Sequence, residues 1–495
     1  MTLTIVGLGP GHPDDLTRRA WQALESAAVV MLRTAEHPCV PHLPAGPEYR
    51  SCDDLYEAKD DFDSVYAAIA ERVLDAAAHG DIVYAVPGDP ANAESTVKRI
   101  RAGADERNIP VQIVSGVSFV EPALALVGVD ALDGLQLFDA ITLAMMHHPP
   151  LNPDHPALLG QVYSRDLASN LKLTLMNQYP DEFPVTLIHA AGTPDAVVEP
   201  VPLYEIDRSP HIRHLTALYL PALGGMSSFE QFQEVIAHLR APEGCPWDRE
   251  QTHLSLRPYL IEETYEVLDA LNAEDPQALR EELGDLLLQI VLHTQIATED
   301  GEFRMADVLH AINTKMIQRH PHVWGDTASQ GLESVDSATD GASDKVVANW
   351  ETLKQRERVA KGQAEKPKSL LDGVPKSLPA LLQAYQFQNK AAKVGFDWPH
   401  IDHVIAKVRE ELDEVLSAGD DEHLREELGD LLFVVVNWAR WHKIDPENAL
   451  RSTNDKFGRR FRHIEEGAAA AGRDLKSMTL AEMDAFWDDA KARGL

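Results

Sequence analysis

Glu262-Glu-Thr-Tyr-Glu266 and, one segment later, Glu281-Glu-Leu-Gly-Asp285 decide how the C-terminal half of this 495-residue chain is read. At roughly 100° per residue, Glu263 and Glu266 project along one edge of the apolar stripe made by Leu260, Thr264, Val267 and Leu271, while Glu262 and Asp269 lie toward water. In the next segment Glu282 and Asp285 sit one turn apart beside Leu283, Leu286, Leu287, Ile290 and Val291. Two antiparallel helices with such edges bring about four carboxylates together.

Both blocks return downstream, as Glu410-Glu-Leu-Asp-Glu414 and Glu426-Glu-Leu-Gly-Asp430. Asn313-Thr-Lys-Met-Ile-Gln-Arg319 matches Asn454-Asp-Lys-Phe-Gly-Arg-Arg460, and Trp350 with Lys354 matches Trp487 with Lys491. Blocks recurring in one order with a slowly shrinking offset mark two copies of one helical domain. Carboxylates on a half-buried edge repel one another and resist desolvation, so their juxtaposition calls for a cation. Mg²⁺ prefers such oxygens, keeps waters and recruits phosphates, and it can polarise a water for attack on phosphorus. For a single block, a solvated acidic face is the simpler account; duplication argues against it.

Composition narrows the partners. The chain has 79 acidic against 45 basic residues and a formal charge of −34, which repels a phosphate backbone and speaks against stable duplex nucleic acid. A 44% hydrophobic content is that of a globular protein, and the length suggests about three domains. Three cysteines, Cys39, Cys52 and Cys245, outline neither a disulfide framework nor a zinc site, which points to a reducing setting. The N-terminus lacks a basic region followed by an apolar run, and no stretch reaches the roughly 18 apolar residues of a membrane span. The expectation is a soluble cytoplasmic protein with no membrane partner.

Upstream the grammar is α/β. Leu3-Thr-Ile-Val6, Ile82-Val-Tyr-Ala-Val86 and Val111-Gln-Ile-Val114 read as strands between helical patterns, and weaker signals follow to about residue 215, with a helix at Leu171–Met176 and a strand at Val185–Ile188. Leu218–Gly225 is the natural boundary with the all-α half. The polar stretches 326–345 and 355–370, the latter containing Pro367, read as loops or linkers. Val6-Gly-Leu-Gly-Pro-Gly11 permits close backbone approach to a ligand, but Gly11 comes too early and Pro10 stiffens the turn, so it is not the dinucleotide fingerprint. Further glycine turns, Pro87-Gly-Asp-Pro90 and Ser115-Gly-Val-Ser118, also follow strands, where α/β folds place ligands.

The stretch from about 226 to 495 resembles a tandem MazG nucleotide pyrophosphohydrolase. Cys245-Pro-Trp-Asp-Arg-Glu-Gln-Thr-His253, both acidic blocks, Arg319-His-Pro-His-Val323 and Gly395-Phe-Asp-Trp398 carry the resemblance. It implies an all-α bundle, homodimeric, that splits nucleoside triphosphates into monophosphate and pyrophosphate by water attack at the α-phosphorus with Mg²⁺. By the resemblance the metal ligands are Glu263, Glu266, Glu282 and Asp285 in the first copy and Glu411, Glu414, Glu427 and Asp430 in the second. Lys456 and Arg460 would grip phosphates, with Trp487 and Lys491 near the nucleotide; Lys315, Arg319, Trp350 and Lys354 are the first-copy counterparts. A Lys/Arg pair or a Trp at this spacing also suits a solvated face or a core. Both copies keep every one of these positions, so the choice between them stays open. Some weight falls on the second, with Glu411, Glu414, Glu427, Asp430, Lys456 and Arg460 as its catalytic set, because Phe461-Arg462 adds positive charge beside Arg460. His320 and His322 read as helix-end or surface residues rather than ligands.

Residues 1–215 resemble the tetrapyrrole (corrin/porphyrin) methylase family through Gly7-Leu-Gly-Pro-Gly-His-Pro-Asp-Asp-Leu-Thr17 and the two later glycine turns. That implies S-adenosylmethionine held in a cleft between two α/β lobes by Gly9, Pro10, Gly11, Gly88, Asp89 and Ser118. The second lobe departs from the family with Met145-Met-His-His-Pro-Pro150, so donor binding is expected, while methylation competes with a dimerisation or regulatory role. The expected fold is multidomain: a two-lobed α/β methylase-like unit over 1–220, then two all-α MazG helical-bundle repeats over 226–355 and 375–495. The expected function is nucleotide-pool housecleaning by pyrophosphohydrolysis. The alternatives are a methyltransferase with a nucleotide-sensing half, or a non-catalytic nucleotide-responsive scaffold.

Overall fold

The computed structural model describes residues 1–495 except 60, 93, 326–331, 333, 336–340 and 361–368. The chain divides into two compact units, Met1–His310 and Ala311–Leu495.

The first unit begins with a parallel sheet of β1 (Leu3–Gly7), β2 (Val29–Leu32), β3 (Glu48–Ser51), β4 (Ile82–Val86) and β5 (Val111–Val114), in the order β3-β2-β4-β1-β5. Side chains alternate across it. Leu3, Ile5, Tyr84 and Val86 pack on one face against Val65, Ile69, Val73, Val97 and Ile100 of the helices Phe62–His79 and Ser95–Arg107. Val6, Val83 and Ala85 face the other way, onto Ala20 and Leu24. Burial on both faces is why β1 and β4 read as continuous apolar runs.

A second sheet follows, made of β6 (Gln136–Asp139), β7 (Ala157–Gly160), β8 (Pro184–His189), β9 (Val197–Pro202) and β10 (Thr216–Leu220). Its order is β6-β7-β10-β8-β9, with β6 and β7 parallel and the remaining pairs antiparallel. The helix Arg165–Leu175, capped by the Ser164 hydroxyl, lays Leu171 and Leu175 on Leu159, Leu187 and Leu218. Two α/β lobes are thus present, and the Val185–Ile188 run lies inside β8. The Asp154 carboxylate accepts from the backbone N–H groups of Ser227 and Ser228 at 2.8 and 2.9 Å, joining the second lobe to the first helix of the α-rich half.

From Phe229 onward every described element is a helix. The helix starts are written in the sequence: Asp275, Asp420 and Asp445 each accept two backbone N–H groups at the heads of Pro276–Glu299, Asp421–Trp441 and Pro446–Ala470. One expectation is corrected. A helix spans Ala342–Ala360, so 342–345 and 355–360 are not loops; that stretch contains no Gly or Pro and is rich in good helix formers despite its polarity. The remaining polar residues at 326–331, 333, 336–340 and 361–368, Pro367 among them, lie outside the described residues. No helix among the described residues is long and apolar enough to cross a membrane. All three cysteines are free, and burial pushes the Cys39 thiol up to about 12 and Cys52 up to about 11.

The last helix, Leu480–Ala492, starts in a capping box between Thr479 and Glu482. The Thr479 N–H, then Arg473, hold the Glu482 carboxyl down to about 2, so its help is present above the ordinary carboxylate range and fades as pH falls toward that value. Thr479→Ala is expected to cost about 1 kcal/mol. Circular dichroism during denaturation reads this as a lower midpoint; an unmoved midpoint would mean other contacts hold the helix end.

Candidate functional site

The helices Ile401–Ser417 and Asp421–Trp441 are joined by the short 418–420 turn, which makes them an αα-hairpin. Glu411 and Glu414 point from the first and Glu427 from the second, and one carboxylate oxygen from each lies within 4.8 Å of the others. Glu411 is only 4% exposed. Burial pushes the Glu414 carboxyl up against the opposing Lys407 ammonium, and the charges of Glu411 and Glu427 act in the same direction as burial. Lys407, one turn before Glu411, places its Nζ 2.7 Å from Glu410 Oε1 and 2.8 Å from Glu411 Oε1. His423 Nε2 lies 2.9 Å from Glu427 Oε1. Neither Lys407 nor His423 was singled out from sequence, although both stand four residues before a candidate ligand.

The first copy repeats the grouping on Arg257–Asn272 and Pro276–Glu299, where Glu263, Glu266 and Glu282 meet within 4.8 Å. Burial raises the Glu263 carboxyl, followed by the charge of Asp285 and a hydrogen bond with Glu266. Three carboxylates meet in each copy rather than four; Asp285 and Asp430 stand outside the tight group. The position equivalent to Lys407 is Tyr259. Carboxylate oxygens this close suit a hard divalent cation, and Lys407 already supplies positive charge to one of them in the second copy.

The basic and aromatic candidates lie on other helices. In the second copy Lys456 and Arg460 belong to Pro446–Ala470, Trp487 and Lys491 to Leu480–Ala492, and these two helices pack together. The Arg460 guanidinium sits 5.4 Å over the Trp487 ring and donates from Nε to the Leu495 carbonyl at 2.7 Å. Phe457 packs 5.3 Å from the same ring. Lys456 is exposed, and Lys491 Nζ lies 3.3 Å from Asp488. Lys315, Arg319, Trp350 and Lys354 are in the second compact unit. Arg319 and Lys354 both lie over Trp350, at 5.5 and 5.4 Å, but Arg319 is also bonded to Glu357 at 2.6 Å. The second copy has Gly494 at that position, and among the described residues no Asp or Glu lies within ion-pair distance of Arg460. His320 Nδ1 bonds the Met316 carbonyl at 2.6 Å and its ring packs on Trp324, a helix-end role.

In the first unit the glycine turns converge where β1, β4 and β5 end. Gly9 and Gly88 pair as a bridge, with N···O distances of 3.1 and 2.8 Å. A Cβ on Gly116 would stand 2.4 Å from the Gly88 carbonyl oxygen, so nothing larger than glycine fits there. Asp89 accepts from Ala91 and Gly116 N–H groups at 2.8 and 3.0 Å. Beside them is a cavity of about 150 Å³ whose wall includes Pro10, Gly88 and Asp89. Gly9 and Gly11 are not on that wall and take positive φ, 79° and 150°, on either side of Pro10. Ser118 is spent on the helix Val120–Val127, accepting from Val120 N–H and donating to Glu121. Sequence reasoning missed Arg33, His37, Phe119, Gln161, His214 and Thr216 on the same wall. Arg33 pairs with buried Glu94 at 3.0 Å and donates to the Tyr56 hydroxyl. Burial pushes His37 down to about 4. The signal available for Arg33 and His37 was their place just after β2.

Residues 2–207 match the tetrapyrrole (corrin/porphyrin) methylases, and residues 251–324 and 401–465 match the MazG nucleotide pyrophosphohydrolase domain. The "Uncharacterized protein YabN" of Bacillus subtilis is 42% identical over 99% of this chain and 98% of its own length. The nucleoside triphosphate pyrophosphohydrolase of Escherichia coli K12 is 43% identical over 54% of this chain and 98% of its own. The nucleoside triphosphate pyrophosphohydrolase/pyrophosphatase MazG of Thermotoga maritima is 41% identical over 53% of this chain and 95% of its own. With both domain matches in place and a relative of this identity along nearly its whole length, the chain belongs to the family that joins an N-terminal tetrapyrrole methylase domain to a MazG nucleotide pyrophosphohydrolase region.

Proposed function

We propose that this protein hydrolyses nucleoside triphosphates to monophosphate and pyrophosphate at its second MazG copy, as a nucleotide-pool housecleaning enzyme requiring Mg²⁺. The observation that carries the reading is the meeting of Glu411, Glu414 and Glu427 beside Lys407 in the unit that also contains Lys456, Arg460, Trp487 and Lys491. The relatives named as nucleoside triphosphate pyrophosphohydrolases support it. Glu411, Glu414 and Glu427, with Asp430 one turn behind, would hold the cation. A bound Mg²⁺ supplies charge neutralisation on phosphoryl oxygens and a water of lowered pKa. Lys407 and Arg460 then provide the fixed positive charge that a polyphosphate chain needs, and Trp487 keeps the Arg460 guanidinium in place from beneath. Glu411 is the one buried member of the group, so its charge is the least screened by water.

The same reading assigns domains to 1–220, 226–355 and 375–495, and S-adenosylmethionine to the cavity bounded by Pro10, Gly88 and Asp89. It makes the protein a cytoplasmic homodimer, supported by three free thiols and by the exposed rows Leu283, Leu287, Ile290 and Leu428, Leu432, Val435, which a second copy would cover. The test is incubation of the purified chain with each NTP while Mg²⁺ is titrated and pyrophosphate and NMP are measured. Stoichiometric release that is lost with EDTA and restored by Mg²⁺ is expected. Absence of release at every metal concentration would discard the reading.

A further inference from the structure

Behind one wall of the first-unit cavity runs a row of polar side chains. Thr216 opens β10 and is on that wall. Its Oγ1 lies 3.0 Å from His189 Nδ1, His189 Nε2 lies 3.2 Å from Glu199 Oε2, and the Ser209 hydroxyl donates to the same carboxylate oxygen at 2.5 Å. The sheet sets this alignment. Thr216 stands opposite His189 in the β10–β8 pair, and Glu199 stands opposite Leu187 in the β8–β9 pair, so His189 and Glu199 share a face as diagonal neighbours.

The direction of each hydrogen bond follows from the chemistry. A carboxylate only accepts, so His189 Nε2 carries the hydrogen and Nδ1 is bare. A bare Nδ1 only accepts, so the Thr216 hydroxyl donates to it, while Oγ1 accepts from the Arg213 N–H at 2.9 Å. Thr216 is left with one lone pair, which can accept from an O–H or N–H in the cavity. His189 is 5% exposed and is not on the wall. Burial holds it below the usual imidazole range against the pull of Glu199, and His211, its ring 5.7 Å away, acts with burial. The imidazole is therefore neutral and able to take a proton. Glu199 keeps 26% of its side chain exposed, so the row runs from the cavity to water.

The bond between Thr216 and Arg213 alone closes the 213–216 turn. A buried imidazole and a half-exposed carboxylate behind it add desolvation to that tie, and what they add in return is a path for protons.

We propose that Thr216, His189 and Glu199 form a proton relay for this cavity, which makes its methyl acceptor a compound with a nucleophilic O–H or N–H. The proposal rests on the S-adenosylmethionine reading above. The donor, when bound, supplies a methyl group on a sulfonium. As the acceptor oxygen or nitrogen bonds to that carbon and the C–S pair stays on sulfur, the acceptor proton passes to Thr216 Oγ1. The Thr216 proton moves to His189 Nδ1, and the Nε2 proton moves to Glu199 and from there to water.

The test uses the full chain with hydroxylamine, a small acceptor that carries both O–H and N–H and is uncharged near neutral pH. With histidines isotope-labelled at Cε1, the His189 NMR signal is the one missing from His189→Gln. Adding hydroxylamine to chain saturated with S-adenosylhomocysteine is expected to move that signal in the wild type and in Thr216→Ser, and to leave it in place in Thr216→Val, which lacks the hydroxyl. With methyl-labelled S-adenosylmethionine, Thr216→Val is expected to methylate hydroxylamine about 100-fold more slowly than the wild type, the scale of a lost proton transfer, and Thr216→Ser to restore most of the rate. Circular dichroism confirms that the variants fold. A His189 signal that ignores hydroxylamine, or that moves as far in Thr216→Val, overturns the relay. So does a wild type that binds the donor and methylates no hydroxylamine, or a Thr216→Val chain that keeps the full rate. If calorimetry shows no binding of S-adenosylhomocysteine to the wild type, the donor reading fails and the relay falls with it.

Discussion

Glu411→Gln is expected to lower pyrophosphate release by about 10³-fold, whereas Glu263→Gln leaves it within about twofold. Glutamine keeps the size of the side chain and removes the charge. At a position 4% exposed, Glu411 is the carboxylate least able to be replaced by water, and it also anchors Lys407 at 2.8 Å. Its loss therefore removes a charged cation ligand and one of the two carboxylates that hold the Lys407 ammonium, Glu410 at 2.7 Å being the other. The first copy has Tyr259 in place of Lys407, and its Arg319 is paired with Glu357, so its positive charge is partly absent and partly spent. The measurement is initial-rate pyrophosphate release at saturating NTP and Mg²⁺, with far-ultraviolet circular dichroism to confirm folding. Loss in Glu263→Gln alone would move the working site to the first copy. Loss in neither would separate both clusters from the reaction.

Helical periodicity carried much of the candidate site. Because 100° steps separate inner from outer positions on one helix, Glu263 and Glu266 were distinguishable from Glu262, and the three carboxylates that meet in each copy are among those the spacing placed on the inner edge. Lys407 and His423 lie on the same rows and were legible in principle, but Lys407 stands before the repeated Glu410–Glu414 block and corresponds to Tyr259 in the first copy, so the repeat itself does not point to it. The cavity residues of the first unit were out of reach for a different reason. Arg33, Gln161 and Thr216 come from separate strands of two sheets, and no local pattern encodes which strand ends converge.

The α/β and all-α halves were legible because strand and helix periods differ, while the capping aspartates Asp275, Asp420 and Asp445, which open polar first turns, gave helix starts that hydrophobic periodicity does not mark. The two ends of Ala342–Ala360, 342–345 and 355–360, were read as loops because their polarity suggested one. Polarity reports exposure, whereas helix formation there follows from backbone propensity.

Glu94→Gln is expected to destabilise the first unit by about 3 kcal/mol, the scale of breaking a buried ion pair. The Glu94 side chain is 1% exposed and that of Arg33 20%, with 3.0 Å between them. Burial raises the Glu94 carboxyl while Arg33 opposes it; burial is likewise the largest influence against the Arg33 charge, and Glu94 with Tyr56 and Tyr84 together outweigh it, so the guanidinium stays protonated. Each charge is tolerated because of the other. Thr96 donates to Glu94 and meets the Tyr84 hydroxyl at 2.9 Å, so the pair is built into the β4 core. Arg33 also lines the first cavity, and a guanidinium without its carboxylate would turn toward that space and weaken the S-adenosylmethionine binding proposed for it. Chemical denaturation and calorimetric titration read the two effects. The double variant Arg33→Met with Glu94→Leu should recover much of the stability, because it removes both charges. If Glu94→Gln stays within about 0.5 kcal/mol of wild type, water in the cavity already screens the Arg33 charge, and the pair contributes little to holding the lobe.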